Sequence, residues 1–540
     1  MDKIKRIAQG KSFKNFIARN RIYVDKTKEI FSLLSEDRVF LARPRRFGKS
    51  TILDTIGTLF EFGVDPYFKG TWIYDEWEEN TYPVLRLSFI DFSVTNLANF
   101  ERDFIDRIDT FAREQKLDNF IPANTAKLSL HHLFDAFRNQ GQSFVILIDE
   151  YDSQLTANIN NPELYEQFKV LFREMYGVLK GKKQIRFLGI TGVTRLKDVT
   201  IFSVGSDIRD FTYESKCASI TGFTREEIAK YYIDYLNLGV CVSKNKNIDE
   251  VTNDDREELL DRIADQYNGY CFDSRNQVKV FSTWSVNCFF QSLYDYKEIN
   301  FGDYWYSNGG IPSILANYLK THTIDLEEYQ QEEINVSYNR FVNPTSLLSM
   351  DQKVLMTQTG YLTLKSVLME TEPLLVGFPN KEVFRSLVRL SFVEIFGFEI
   401  LLSRKSRNNL ENGSNEDIKN EFISIIQTTP YDHNPIANES VLRLLVYMFF
   451  VGARVNVRPE FQHLKGRSDL ELEFENRRIV IEFKYADNEN DAKEKLIQAK
   501  EQIKLRDYGN HKPSKECLVF ALVYDGEKKE VKYFEFVPKD

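Results

Sequence analysis

"VFLARPRRFGKSTILDTIGTLF", Val39 to Phe60, ends as a phosphate-binding loop ends, with Gly48-Lys49-Ser50 entering an amphipathic run. It does not begin as one. The usual pattern, G-x-x-x-x-G-K-[ST], asks for glycine at the position of Arg43. Two readings compete: a nucleotide site, or a strand, turn and helix that contain GKS by chance. Local context favours the first. Phe40-Leu41-Ala42 reads as a buried strand, and Ile52-Leu53 as the start of a helix whose N-terminal N–H groups and dipole attract an anion. Pro44 can fix the entry turn that the missing glycine would have made.

Two more segments strengthen this reading. "FVILIDEYD" (Phe144–Asp152) is a buried strand ending in acids, about 100 residues after the loop. Asp149 at its end is expected to hold Mg²⁺, and Glu150 to orient or deprotonate an attacking water. "FLGITGVTRL" (Phe187–Leu196) brings Thr191, Thr194 and Arg195 to the end of a further strand, where a polar residue can sense a γ-phosphate. Gly48, Lys49, Ser50 and Thr51 form the expected phosphate cradle: Gly48 allows close approach, Lys49 reaches the β- and γ-phosphates, and the Ser50 hydroxyl sits on Mg²⁺. Arg45 and Arg46 either touch phosphates or a neighbouring subunit, or stay solvated or paired. Arg195 and Arg209 are candidate arginine fingers.

Together with "YVDKTKEI", "SITGFTREEI", "YNGYCF", "FSTWSVNCFF", "QTGYLTL" and "GFPNKEV", these segments resemble the AAA-ATPase-like family, from Ile22 to about Leu390. Members of that family carry RPRRFGKS in place of the full glycine-rich loop, so the resemblance implies that ATP binds despite Arg43. It also implies a helical lid after Thr224. The turn Tyr267-Asn268-Gly269-Tyr270 reads as part of that lid or as a packing turn.

A second chemistry stands near the end of the sequence. In "GRSDLELEFENRRIVIEFKYA", strand periodicity puts Glu482 and Lys484 on one face, and a hairpin brings Asp469 toward Glu482. Paired carboxylates suit Mg²⁺ or Mn²⁺, and a lysine ammonium stabilises charge on a scissile phosphate. This resembles the PD-(D/E)XK nuclease superfamily, over roughly Asn438 to Val537, with Ser468 in place of the proline that names the motif. The resemblance implies Glu439 as an accessory acid and Gln502 as a helix glutamine beside the site. Lys465, Arg467, Arg477 and Arg478 are candidate phosphate contacts. The competing reading is an exposed hairpin of alternating charge.

The bulk properties set limits. The sequence has 540 residues, a formal charge of −9 and 42% hydrophobic residues, enough for several cores but without a uniformly basic coat. Five scattered cysteines form no C-x-x-C pair, and six histidines show no metal-ligand spacing. There is no signal-peptide core and no membrane-length apolar run, so a soluble, cytoplasmic protein is expected. The expected fold is α/β: a P-loop NTPase-like parallel sheet (1–223), a helical lid (224–345), a small winged-helix-like region and linker (346–420), and a C-terminal αββαβ restriction-endonuclease-like domain (421–540). Ser403–Glu421 reads as a loop, and the aromatic-rich "FGDYWYSNGG" as core packing or a base-stacking platform.

The expected function is ATP binding and hydrolysis coupled to a metal-dependent nuclease-like domain acting on DNA or RNA. The alternative is a nucleotide-dependent switch whose C-terminal fold docks without turnover. ATP, Mg²⁺ and nucleic acid are the expected partners. No membrane is expected, and an oligomer is compatible with the sequence.

Overall fold

The quoted stretch folds as strand, turn and helix. In the computed structural model, which describes residues 4–8, 10–196, 207–305, 314–315, 333–396, 400–427, 436–463, 466–506 and 515–538, β1 is Arg38–Ala42 and the loop helix is Lys49–Phe62. Gly48, at φ 89°, makes the turn between them, in the left-handed region where a side chain is strained.

The described residues up to Phe384 form one compact unit and those from Arg385 onward a second. In the first, β1 joins β2 (Val84–Ser88), β3 (Phe144–Asp149), β4 (Ile185–Gly192) and β5 (Arg209–Asp210) in a parallel sheet of order β2-β3-β4-β1-β5. β3 is buried along its whole length, as a strand covered on both faces must be. Its Val145 and Leu147 share a core with Ile52 and Ile56 of the loop helix. Ile146 and Ile148 point the other way, toward Phe104, Leu130 and Met175 on the helices Leu97–Glu114, Ala126–Asn139 and Pro162–Leu179. Helices therefore cover both faces, and one intervening strand, β4, separates the loop strand from the strand that ends in Asp149.

Helices Arg225–Tyr231, Ile233–Lys244, Asn253–Tyr267 and Thr283–Tyr296 build a second core in the same unit. Thr224 starts this array with a capping box closed by Glu227. The N-terminal segment joins that core through Ile7 and Ile22, which pair as an isolated parallel bridge. Where a winged-helix-like region is expected, β6 (Ile334–Val336), β7 (Thr363–Leu364) and β8 (Leu374–Gly377) form an antiparallel sheet beside the helix Gln352–Thr359. Gly360, at φ 87°, lets this region approach the turn after β1: a Cβ there would lie 2.7 Å from Pro44. Gly269 does the same for the Tyr-Asn-Gly-Tyr turn, where a side chain would meet the Pro379 carbonyl, so that turn is a packing element. Phe301, Tyr304 and Trp305 pack with other aromatic rings; the rest of the aromatic-rich segment, 306–310, lies outside the described residues.

The second unit is built on a mixed sheet of order β13-β12-β11-β10-β9. Helix Glu439–Gly452 precedes β9 (Asn456–His463), β10 (Gly466–Glu473) and β11 (Arg477–Ala486). Helix Glu489–Arg506 then leads to β12 (Glu516–Asp525), parallel to β11, and to β13 (Glu530–Phe536). The expected αββαβ core is present, and β9 and β13 extend it at the two edges. β13 is rich in charge and β9 contains Pro459, features that edge strands tolerate and that obscure them in sequence. The loop expected at Ser403–Glu421 is instead the helix Arg404–Asn412 and most of the helix Asn415–Gln427. Ser403 caps the first, while Leu410 and Ile418 bury one face.

Candidate functional site

Arg43 turns away from the loop that Gly48 closes. Its side chain is 1% exposed, and its guanidinium donates to the carbonyls of Ala42 (2.9 Å), Thr212 and Cys217 (3.3 Å) and to the Thr221 hydroxyl (3.2 Å). It also lies 4.4 Å from the Phe272 ring centroid. Burial pulls its pKa down to about 10, so it stays cationic at neutral pH. The residue at the glycine position is therefore a buried stitch between the end of β1 and the segment that precedes helix Arg225–Tyr231. The loop keeps its tight approach through Gly48 alone.

Beside Gly48 opens a cavity of about 610 Å³, the size range of a small-molecule site. Gly48, Lys49, Ser50 and Thr51 line one end with Glu150 and Arg46. Ile22, Val24, Phe223 and Trp284 line an apolar part. Arg46 lies 4.4 Å over the Trp284 ring, and its carbonyl accepts from the Thr283 hydroxyl at 2.6 Å, so the loop is fastened to helix Thr283–Tyr296. Buried Lys26 lines the same cavity and donates to Glu227 (2.6 Å) and to the Ser219 carbonyl (2.7 Å). That ion pair ties the N-terminal segment to helix Arg225–Tyr231. Neither the Arg46 contact nor the Lys26 pair is legible in sequence, because their partners lie roughly 200 positions away.

The Lys49 ammonium donates to the carbonyls of Arg43 (3.0 Å) and Pro44 (3.1 Å) and lies 3.8 Å from Glu150 Oε1. Glu150 has φ 54°, an uncommon conformation for a side-chain-bearing residue that is typical of functional sites. Burial raises its pKa above the usual glutamate value, and Lys49 opposes the rise. Asp149, at the end of β3, is buried, and its Oδ1 accepts from the Thr191 hydroxyl on β4 at 2.7 Å. No described residue donates a hydrogen bond to its other oxygen. A serine hydroxyl and a carboxylate are hard oxygen donors, so Ser50 and Asp149 suit Mg²⁺.

Three expected contributors are engaged elsewhere. The Thr194 hydroxyl and N–H both donate to buried Asp152, at 2.5 and 2.6 Å, and do not line the cavity. Arg195 is ion-paired with Asp210 and donates to the Val342 carbonyl at 3.0 Å, so its charge is used within the fold. Arg209 pairs with Glu36 and Glu214.

The acids and lysine of the second unit do converge. Leu470 pairs with Ile481 across β10 and β11, which sets Asp469 opposite Glu482 at the next position. Asp469 Oδ2 accepts the Phe483 N–H at 2.9 Å. The Lys484 ammonium donates to Glu482 (3.0 Å), to the Phe483 carbonyl (2.9 Å) and to Glu439 (3.5 Å), the first residue of its helix. Burial alone would lower the Lys484 pKa, but Glu482, Glu439 and Asp469 outweigh it and raise the value. Lys484 is therefore a fixed cation. Arg443, one turn beyond Glu439, brings its guanidinium to 3.6 Å from Asp469 Oδ1. All the candidate metal donors are oxygens, which suits Mg²⁺ or Mn²⁺. Among the described residues no three His, Cys, Asp or Glu side chains are grouped to hold an ion alone, so an ion here must keep water ligands.

Gln502 lies half-buried on helix Glu489–Arg506, next to Ile503, which packs with Val480. Two expected phosphate contacts are corrected. Arg478 is fully buried against Glu471 at 3.1 Å, and Arg477 pairs with Glu516 and caps the carbonyls of Leu410 and Gly413. Lys465 lies outside the described residues, as does the side chain of Arg467. No helix among the described residues is long and apolar enough to cross a membrane.

Two family models match this chain. One, described as "Predicted AAA-ATPase", covers residues 9–202, and one, described as "PD-(D/E)XK nuclease superfamily", covers residues 437–534. A protein of Azotobacter chroococcum mcd 1, described as "Uncharacterized protein in vnfD 5'region", is 26% identical over 475 residues, spanning 86% of this chain and 85% of that one.

Proposed function

We propose that this chain, which carries an AAA-ATPase-like domain followed by a PD-(D/E)XK nuclease superfamily domain, binds and hydrolyses ATP and couples that cycle to metal-dependent cleavage of DNA or RNA. One observation carries the reading: Lys49 and Glu150, far apart in sequence, line one cavity at the head of the loop helix. ATP lays its phosphates along Gly48 to Thr51 at that helix N-terminus. Lys49 exchanges the Arg43 and Pro44 carbonyls for phosphate oxygens, and Glu150 takes the proton of the attacking water. In the C-terminal domain Lys484 stabilises charge on the scissile phosphate. Mg²⁺ at Ser50 and Asp149, and Mg²⁺ or Mn²⁺ at Asp469 and Glu482 with water completing its shell, would neutralise phosphate charge and activate water.

In this reading residues 1–223 are the ATPase domain, 224–345 its lid, 346–420 a connecting region and 421–540 the nuclease domain, in a cytoplasmic protein. A nucleotide switch without nuclease turnover remains the second reading. It is favoured by the burial of Arg477 and Arg478, whose charges are paired within the fold with Glu516 and Glu471 and are not offered to a phosphate backbone. ATP hydrolysis by wild type and by Lys49→Ala tests the first half of the proposal. The variant should lose ATP binding and turnover, and an unchanged rate would refute the site.

A further inference from the structure

We infer, resting on the nucleotide site proposed above, that Asn287 and Gln291 read the base of the bound nucleotide and select adenine over guanine. Both residues line the cavity that opens at Gly48, and both are half-buried. They stand one helical turn apart on helix Thr283–Tyr296 and so share one face. Ile22, Val24 and Phe223 line the same cavity and offer apolar surface to a planar ring.

Each amide is held by one of its two ends. The Gln291 nitrogen donates to both oxygens of Asp295, at 2.9 and 3.0 Å. A carboxylate only accepts, so this partner fixes which way the amide faces and leaves its carbonyl oxygen as an acceptor. The Asn287 oxygen accepts from the Tyr232 hydroxyl at 2.5 Å, a length that suits an O–H···O bond and is too short for an amide N–H. Tyr232 is itself buried and stacked on Phe290, which holds its hydroxyl in place. The Asn287 NH₂ group is left as a donor. No described residue bonds either remaining end.

A donor beside an acceptor matches the edge of adenine, where ring nitrogen N1 accepts and the 6-amino group donates. Guanine reverses both, because its N1 carries a proton and its O6 accepts. To read guanine both amides would have to turn over, and Gln291 would then set its oxygen against the Asp295 carboxylate. A mismatched base leaves polar groups unpaired, which costs more than a matched pair gains.

The test titrates the full chain calorimetrically with AMP-PNP, GMP-PNP and tripolyphosphate, each with Mg²⁺, as wild type, Asn287→Asp and Gln291→Leu. Wild type should bind AMP-PNP roughly tenfold tighter than GMP-PNP, or more. Asn287→Asp turns the donor into an acceptor, which repels adenine N1 and accepts the guanine N1–H, so the preference should vanish or invert. Gln291→Leu removes the other acceptor and should weaken AMP-PNP roughly fivefold without weakening GMP-PNP. An AMP-PNP to GMP-PNP ratio that stays at the wild-type value in either variant would overturn the inference; if Asn287→Asp does not fold, Gln291→Leu decides it alone. A wild type that binds tripolyphosphate but does not distinguish the two nucleotides overturns the inference and leaves the phosphate site standing. A wild type that binds none of the three overturns both.

Discussion

The Lys49 ammonium lies 3.8 Å from the Glu150 carboxylate, and both side chains line the cavity that opens at Gly48. Lys49 is also bonded to two loop carbonyls, so it is already aimed along the loop where phosphate oxygens would replace them. Glu150 is held on a strained turn with its charge offset by that lysine.

Glu150→Gln keeps the size of the side chain and removes the base. Turnover should fall by about 10²-fold or more while ATP binding, measured by nucleotide-dependent thermal stabilisation, is retained. Because burial raises the Glu150 pKa, the wild-type rate should fall as pH drops, with its midpoint above the ordinary glutamate value. A steady-state pH profile that is flat down to pH values near that of free glutamate would argue against Glu150 as the base.

Restoring the missing glycine should harm the protein. Arg43→Gly removes a guanidinium that satisfies three carbonyls and a hydroxyl in the interior. Losing those bonds should cost about 2–4 kcal/mol, read as a lower denaturant midpoint, with no gain in ATP affinity. A variant as stable as wild type would show the stitch to be dispensable.

The parallel sheet of the first unit was legible because buried parallel strands are short apolar runs with polar residues at their ends. β1 with Lys49, and β3 with Asp149 and Glu150, follow that grammar. A polar strand tip does not have to face the cavity. Thr194 and Arg195 satisfy Asp152 and Asp210 instead, a pairing that depends on how the chain returns to the sheet. The role of Arg43 was equally hidden, since Thr212, Cys217 and Phe272 reach it only in the fold. In the C-terminal domain the Asp469, Glu482 and Lys484 cluster follows from period-two geometry and one hairpin. Arg443 was missed because its partner Asp469 lies on a later strand that reaches the helix only in the fold. Arg477 and Arg478 look like a basic patch but are buried, one pairing with Glu516 and the other with Glu471.

Glu382 gives the fold a pH signature. It is fully buried, accepts from the Ser285 hydroxyl and the Trp305 N–H, each at 2.8 Å, and burial pushes its pKa up to about 8. The folded state then binds more protons than the unfolded chain between the ordinary glutamate value and about pH 8. Glu382 therefore contributes stability that is full below this window and is lost as pH rises through it, by up to ~1.4 kcal/mol per pH unit. Thermal melts should show Glu382→Gln with a flatter decline from pH 6 to pH 8 than wild type; parallel declines would assign the pH dependence to other groups.

Coupling of the two chemistries is tested most directly by nucleic-acid cleavage with Mg²⁺ or Mn²⁺, with and without ATP, by wild type, Lys49→Ala and Glu482→Ala. Wild type should cut at a rate that ATP changes, Lys49→Ala should lose the ATP response, and Glu482→Ala should hydrolyse ATP without cutting. An ATP-hydrolysing wild type that cleaves neither DNA nor RNA, or cleavage that survives Glu482→Ala unchanged, would contradict it.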